Sequence, residues 1–177
     1  LVYIDLGCGA LTSGLALASL FYDTEGHPIT MRYIGIDIAE SMIEKAKEFA
    51  KTELFSPNSQ FEFYSTWDFV PESTIAQITL PNQFVVFNAS YLFASSSLDE
   101  ISLASFIRKI AARVKGNVYF VFQNPERADR NNKYRDFKAQ LPHALEASDT
   151  QKIYYKNNSS SAYEPSSEVV TYEILSI

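Results

Sequence analysis

The run Val2-Tyr3-Ile4-Asp5-Leu6-Gly7-Cys8-Gly9 decides how this chain folds. Its first five residues are short, apolar and rich in strand formers, as expected of a strand covered on both faces. Gly7-Cys8-Gly9 then punctuates the run as a turn. Thr12 or Ser13 stands where it can cap a helix reaching about Tyr22. Cys8 reads as a small packed residue, because no histidine or basic neighbour is there to lower its pKa. The same stretch must also be tested as a targeting signal, since Asp5 is the only charge between Leu1 and Tyr22. A signal peptide needs a basic leader and an unbroken apolar core. No basic residue precedes Arg32, and Asp5 and two glycines interrupt the apolar stretch. A membrane-spanning helix needs about 20 apolar residues; Phe84 to Ala94 is too short and contains Asn88. The expectation is a soluble, cytoplasmic domain with no membrane partner.

Working outward, the strand–turn–helix pattern repeats. Tyr33 to Asp37 reads as a second strand, followed by a helix from about Glu40 to Leu54. Met42, Ile43, Ala46, Phe49 and Ala50 fall there at helical spacing, with charged residues between them. Phe61 to Tyr64 and Gln83 to Asn88 read as strands, Leu98 to Val114 as an amphipathic helix, and Asn117 to Phe122 as a fifth strand. A polar helix is expected over about Asp129 to Leu141. Gln151 to Tyr155 and Glu168 to Leu175 would close the fold as an antiparallel hairpin around an Asn/Ser-rich loop, 157 to 167. Alternating strands and helices imply right-handed crossovers. The expected fold class is α/β: a doubly wound, mostly parallel sheet of about seven strands, with helices on both faces, in one domain over residues 1–177.

Composition narrows the function. The chain has 177 residues, 46% apolar and 20% charged, which is globular rather than disordered. One cysteine excludes an intramolecular disulfide and a multi-cysteine zinc site, and His27 and His143 are far apart, so no metal centre is expected. A net charge of −6 disfavours indiscriminate binding to nucleic acid or anionic membrane. The densest basic cluster is Arg127, Arg130, Lys133, Arg135 and Lys138, interrupted by Asp129 and Asp136. Such a mix suits a solvated helix face, or a local patch meeting phosphate.

In a parallel sheet, ligands bind beside the carboxyl ends of the strands. The residues expected there are Gly7 to Gly9, Asp37, Thr66 to Phe69, Asn88 to Tyr91, and Gln123-Asn124. Each also has a plain role in turn geometry. A dinucleotide fingerprint would read Gly-x-Gly-x-x-Gly, but its third glycine is Thr12 here, which disfavours a nicotinamide-dependent oxidoreductase.

Ile4-Asp5-Leu6-Gly7-Cys8-Gly9, followed by Gly35-Ile36-Asp37-Ile38-Ala39-Glu40-Ser41-Met42, resembles the class I S-adenosylmethionine-dependent methyltransferases. Those enzymes carry an acidic residue two before Gly-x-Gly and a second acidic residue ending strand two. The resemblance extends through all five parallel strands and the closing hairpin; it departs at Leu11, where many members have a third glycine. It implies S-adenosylmethionine as cofactor. It further implies that Asp5 accepts from the cofactor's ammonium, directly or through water. Gly7 and Gly9 would let the backbone approach without a Cβ clash, and Asp37 would accept from the ribose hydroxyls. Ile38 and Met42 would flank the adenine, and Asp68 would accept from its amine with Phe69 adjacent. Asn88-Ala89-Ser90-Tyr91 faintly resembles the Asn-Pro-Pro-Tyr motif of amino-methylating nucleic-acid enzymes, without its prolines. Asn88 and Tyr91 are therefore the candidate catalytic residues, with Asn88 also beside the cofactor. No general base is identifiable; His143 could face the cleft. The implied acceptor is a small molecule or RNA. In such enzymes a segment ahead of the first strand often covers the cofactor, so a missing N-terminal lid or a partner domain is also expected. The competing expectation is a methyltransferase-like domain that binds cofactor or partners without catalysis.

Overall fold

Val2–Leu6 forms β1, and every one of its residues is buried. The computed structural model describes residues 1–127, 131–155 and 166–177. After β1 come α1 (Thr12–Glu25), β2 (Arg32–Ile36), α2 (Glu40–Phe49), β3 (Gln60–Tyr64) and α3 (Glu72–Ile78). They are followed by β4 (Val85–Ser90), α4 (Glu100–Ala111), β5 (Val118–Pro125), α5 (Asn132–Lys138), β6 (Ala144–Tyr155) and β7 (Ser166–Ser176). The sheet order is β3-β2-β1-β4-β5-β7-β6. β1 to β5 pair in parallel, and β7 lies antiparallel between β5 and β6. The expected doubly wound sheet with a closing hairpin is therefore present.

Alternation along β1 sends side chains to two cores. Val2, Ile4 and Leu6 join the cluster built with Phe87, Phe120, Leu103, Ile107 and Phe137, on the α4 and α5 side. Tyr3 joins the cluster of Leu11, Ala18, Tyr33, Ala46 and Phe55, on the α1 and α2 side. Gly35 in β2 is required by close packing: a Cβ there would stand 2.7 Å from the Phe63 ring and 3.0 Å from Cys8 Sγ.

Several boundaries differ from expectation, with physical reasons. α1 has no side-chain cap: the residue before it is Leu11 in a left-handed turn (φ 71°), and the Ser13 hydroxyl donates to Asp5 instead. The second expected helix ends at Phe49 rather than Leu54, and α3 was not legible because seven residues give too little periodicity. β4 runs on to Ser90 and β5 to Pro125, because each finds partners in the sheet. β6 begins at Ala144, seven residues earlier than expected, in a polar stretch that is exposed almost throughout. Ladder bonds to β7, not burial, hold it extended. His143 consequently stands beside Ala144, which pairs with Ser176 opposite the start of β5. That is the amino edge of the parallel strands, so His143 does not face the ligand edge. The core of the expected hairpin loop and Arg130 lie outside the described residues; Ser166 and Ser167 are already in β7.

Candidate functional site

Sheet order reverses between β1 and β4, and the crevice this opens at the carboxyl ends of the strands is where ligands of such folds bind. Two adjoining clefts occupy it. The first, about 480 Å³, is lined by Gly7, Asp37, Ile38, Thr66, Trp67, Asp68, Tyr91, Leu98, Asp99 and Ser102 among others. The second, about 530 Å³, is lined by Tyr3, Asp5, Gly7, Gly9, Thr12, Ser13, Asn88, Ser90, Tyr91 and Gln123, with Cys8 and Ala16. Gly7, Ser90 and Tyr91 border both clefts.

Asp37 ends β2 and ties the turn to the next helix. Its Oδ2 accepts from the Gly9 N–H at 2.9 Å and its Oδ1 from the Ala39 N–H at 2.8 Å. A carboxylate offers about four lone-pair sites, so each oxygen keeps capacity for a donor in the first cleft. The turn is anchored on the other side, where the N–H groups of Gly7 and Cys8 both donate to the Ile36 carbonyl. Gly7 and Gly9 have φ of 72° and 51°, which a Cβ disfavours. Nothing lies within 4 Å of a Cβ built at Gly9. This is backbone presented to open space, as a close-approaching ligand requires.

Asp5 is placed differently from its simplest expectation. It is 1% exposed on the floor of the second cleft. Its Oδ2 accepts from the Ser13 and Tyr33 hydroxyls, and its Oδ1 from Asn88 Nδ2 at 2.8 Å. Burial pushes its pKa up; the bonds from Ser13, Tyr33 and Asn88 oppose that, and the Asp37 carboxylate adds to it. With three lone-pair sites engaged, Asp5 chiefly organises α1, β2 and β4 around the turn. Ser13 and Tyr33 were missed as supporting residues, since Ser13 resembled a cap and Tyr33 an ordinary strand aromatic. Cys8 is buried, and burial with the carboxylates of Asp5 and Asp37 pushes its thiol up to about 12, which leaves it inert at neutral pH.

The tip of β4 brings Asn88 and Tyr91 to the same place in different roles. Asn88 is buried; its amide nitrogen donates to Asp5 and its oxygen accepts from Ser90 Oγ at 3.2 Å. Tyr91 is 41% exposed at the junction of the clefts, in a left-handed conformation (φ 62°), with its N–H bonded to the Gln123 carbonyl at 2.7 Å. A non-glycine residue in that conformation is a strained position of the kind that gathers at functional sites. Burial raises the pKa of its hydroxyl, reinforced by Glu168 and Tyr155 of the hairpin. Both hairpin residues lie beyond the last pairing of β5 with β7, Pro125 with Val170, so the hairpin overhangs the ligand edge.

Of the remaining candidates, Ile38 and Asp68 line the first cleft, whereas Met42 and Phe69 line neither and are 46% and 66% exposed. Trp67, within the expected Thr66 to Phe69 stretch, lines the first cleft, whereas Leu98, Asp99 and Ser102 were not foreseen as cleft residues, for they reach it only because α4 packs beside the turn after β3. Trp67 Nε1 donates to Ser102 Oγ at 2.9 Å, and Asp99 caps α4 through the Ser102 N–H. In the basic cluster, Lys133 donates to the carbonyls of Ser96 and Leu98, and Lys138 pairs with Glu173 at 2.6 Å. These two cations brace the fold. Among the described residues no group of three or more His, Cys, Asp or Glu could hold a metal ion, and no helix is long and apolar enough to cross a membrane.

The sequence profile of a family described as a methyltransferase domain matches residues 1–168. The chain belongs to that family. Its cofactor is S-adenosylmethionine, as the first two motifs imply. Solved structures with the same fold include a SAM-dependent methyltransferase from Methanosarcina mazei, 12% identical with a TM-score of 0.58, covering 99% of this chain and 91% of the other. A precorrin-6y C5,15-methyltransferase from Geobacter metallireducens is 14% identical, with a TM-score of 0.56 and coverage of 99% and 80%. A protein from Clostridium thermocellum described as a putative rRNA-methylase is 16% identical, with a TM-score of 0.54 and coverage of 99% and 88%. No curated protein sequence matches the chain. The methyltransferase membership sets aside the nicotinamide reading, and these likenesses show the fold without identifying the acceptor.

Proposed function

We propose that this methyltransferase domain is an active enzyme, with the cofactor's adenosine in the first cleft and the acceptor entering the second. The observation that carries the reading is Asp37, fixed by the Gly9 and Ala39 N–H groups yet open to the first cleft. Asp37 would accept from the ribose hydroxyls. Gly7 and Gly9 would let backbone approach the methionine portion. Ile38 would cover one side of the adenine, and Asp68 would accept from its amine. The clefts also suit a cationic group, because the lining carboxylates are Asp5, Asp37, Asp68 and Asp99. S-Adenosylmethionine supplies an electrophilic methyl on a sulfonium, so the protein's contribution is proximity, orientation and exclusion of water. Tyr91, bordering both clefts, is the side chain suited to separate the cofactor from bulk water while leaving room for an acceptor.

Calorimetry with S-adenosylhomocysteine tests the reading. Binding to the native chain is expected, and Asp37→Ala should weaken it at least tenfold, since hydrogen bonds to a charged group contribute about 1.5–3 kcal/mol each. Trp67 is the sole tryptophan and lines the first cleft, so its emission gives an independent signal of occupancy. Absence of binding to folded protein, or an unchanged affinity in Asp37→Ala, refutes it. Methyl transfer from labelled cofactor to cell-extract metabolites would separate an active enzyme from a binding domain.

A further inference from the structure

At the ligand edge the hairpin of β6 and β7 reaches past its last pairing with β5, Val170 with Pro125, as far as Ser166 and Tyr155. Directly paired residues of antiparallel strands share a face, and every second residue returns to it. Glu168 therefore lies on the face of Val170 and Tyr172, and Tyr172 pairs with Gln123, which lines the second cleft. Ile153 stands directly opposite Glu168, and Tyr155 is one diagonal step away on that face. Tyr91 meets the group from the end of β4, where its N–H is bonded to the Gln123 carbonyl. Beyond the effect of burial, Glu168 and Tyr155 both push the pKa of the Tyr91 hydroxyl up, so the three side chains sense one another.

Two half-buried carboxylates on β7 are treated differently. Glu173 is taken by Lys138 and the Tyr134 hydroxyl, both at 2.6 Å. Glu168 is half-buried too, and has no such partner among the described residues. Beside it Tyr91 and Tyr155 are 41% and 47% exposed, so much of each ring is open to a ligand. A carboxylate that has lost part of its water next to aromatic rings favours an organic cation. It repels a phosphate or a second carboxylate. The clefts agree in sign: among the described residues that line them there is no lysine, arginine or histidine. Glu168 and Tyr155 line neither cleft, so this rim stays apart from the Gly7–Gly9 turn and the start of α1, where the methionine portion of the cofactor would lie.

We propose that the methyl acceptor is a small organic cation, an ammonium or guanidinium compound whose charge is held at the hairpin rim by the Glu168 carboxylate and the rings of Tyr91 and Tyr155, with its nucleophile on an uncharged atom farther along the molecule. This rests on the methyl-transfer reading above and adds a subsite to it. The arrangement keeps two positive charges apart, the acceptor's on the hairpin and the sulfonium's in the clefts. A lone pair of the uncharged atom forms the bond to the methyl carbon as the S–CH₃ bond breaks. The bonding pair stays on sulfur, and any proton the product sheds passes to water. Glu168 and Tyr155 are on this account specificity residues that hold the acceptor by the end that does not react.

The test uses the full chain with methyl-labelled cofactor and deproteinised cell-extract metabolites, sorted beforehand by ion exchange at neutral pH into cationic, neutral and anionic pools, with total RNA as a fourth. Label should enter the cationic pool in preference to the rest. At limiting cationic pool, Glu168→Gln should slow transfer about tenfold and Tyr155→Leu about threefold, and excess pool should restore the rate, as expected of lost acceptor binding. Affinity for S-adenosylhomocysteine, read by calorimetry, should stay within about twofold in both variants, which separates a lost subsite from a damaged fold. Preference for the neutral pool, the anionic pool or RNA overturns the proposal. So does absence of label from every pool while S-adenosylhomocysteine still binds, or a rate at limiting cationic pool that Glu168→Gln leaves unchanged. Failure of S-adenosylhomocysteine to bind at all refutes the underlying methyl-transfer reading, and the acceptor subsite with it.

Discussion

Replacing Tyr33 by Phe removes one oxygen atom from beneath the second cleft and leaves the ring in place. That ring is fully buried, stacked on Tyr3 with centroids 5.8 Å apart and tilted against Phe61 and Phe63, so the substitution opens no large cavity. What disappears is the hydrogen bond from the Tyr33 hydroxyl to Asp5 Oδ2. A bond to an ionised, buried carboxylate contributes about 1.5–3 kcal/mol. At this chain length a loss near 2 kcal/mol lowers Tm by roughly 4–8 °C. pH supplies a second signature. Burial raises the Asp5 pKa and the Tyr33 bond opposes it. A carboxyl raised in the folded state lowers stability as pH climbs from the ordinary carboxylate range through the folded value, and has no such effect below that range. Deleting the hydroxyl raises the folded value further. The deficit of Tyr33→Phe should therefore widen as Asp5 ionises, and shrink in acid to that of a neutral hydrogen bond, about 0.5–1.5 kcal/mol. Urea unfolding of both proteins from pH 4 to 9 measures this directly. A deficit under about 0.5 kcal/mol at every pH, or one that widens toward acid, refutes the role given to Asp5.

Gly35→Ala should lose about 1–3 kcal/mol by overpacking, because the new methyl meets Phe63 and Cys8 from inside β2; thermal unfolding reads it. Cys8 should resist iodoacetamide at pH 8 in the native protein and react once urea exposes it, with S-adenosylhomocysteine binding indifferent to the reagent until then. Lys133→Met should weaken S-adenosylhomocysteine several-fold by releasing the carbonyls of Ser96 and Leu98, the latter in the wall of the first cleft, and should lower Tm as well. Unchanged affinity would mean that this wall holds without the lysine.

Much of the ligand edge was legible because its residues sit at strand ends in sequence as well as in space. Asp37 follows β2 directly, and Gly7 and Gly9 follow β1, so a local pattern places them without knowledge of the fold. Leu11 shows where the pattern fell short. Its side chain is fully buried, yet its backbone adopts the left-handed conformation that a glycine there would supply without strain. A Cβ at Gly14 would come within 3.1 Å of the Leu11 side chain, so the space a larger residue would fill at 14 is taken from 11. Packing thus preserves the loop despite the missing glycine, and no one-dimensional motif records that exchange.

The sequence by itself determined the mostly parallel sheet, the alternation of strands and helices, the glycine turn and the acidic residue that follows the second strand. Those follow from hydrophobic period and backbone freedom, which are properties of neighbouring residues. Only the tertiary structure decided that Asp5 is enclosed by Ser13, Tyr33 and Asn88, and that Leu98, Asp99 and Ser102 join Trp67 in the first cleft. Each depends on hydrogen bonds or packing between residues far apart in the chain, such as the 83 positions separating Asn88 from Asp5.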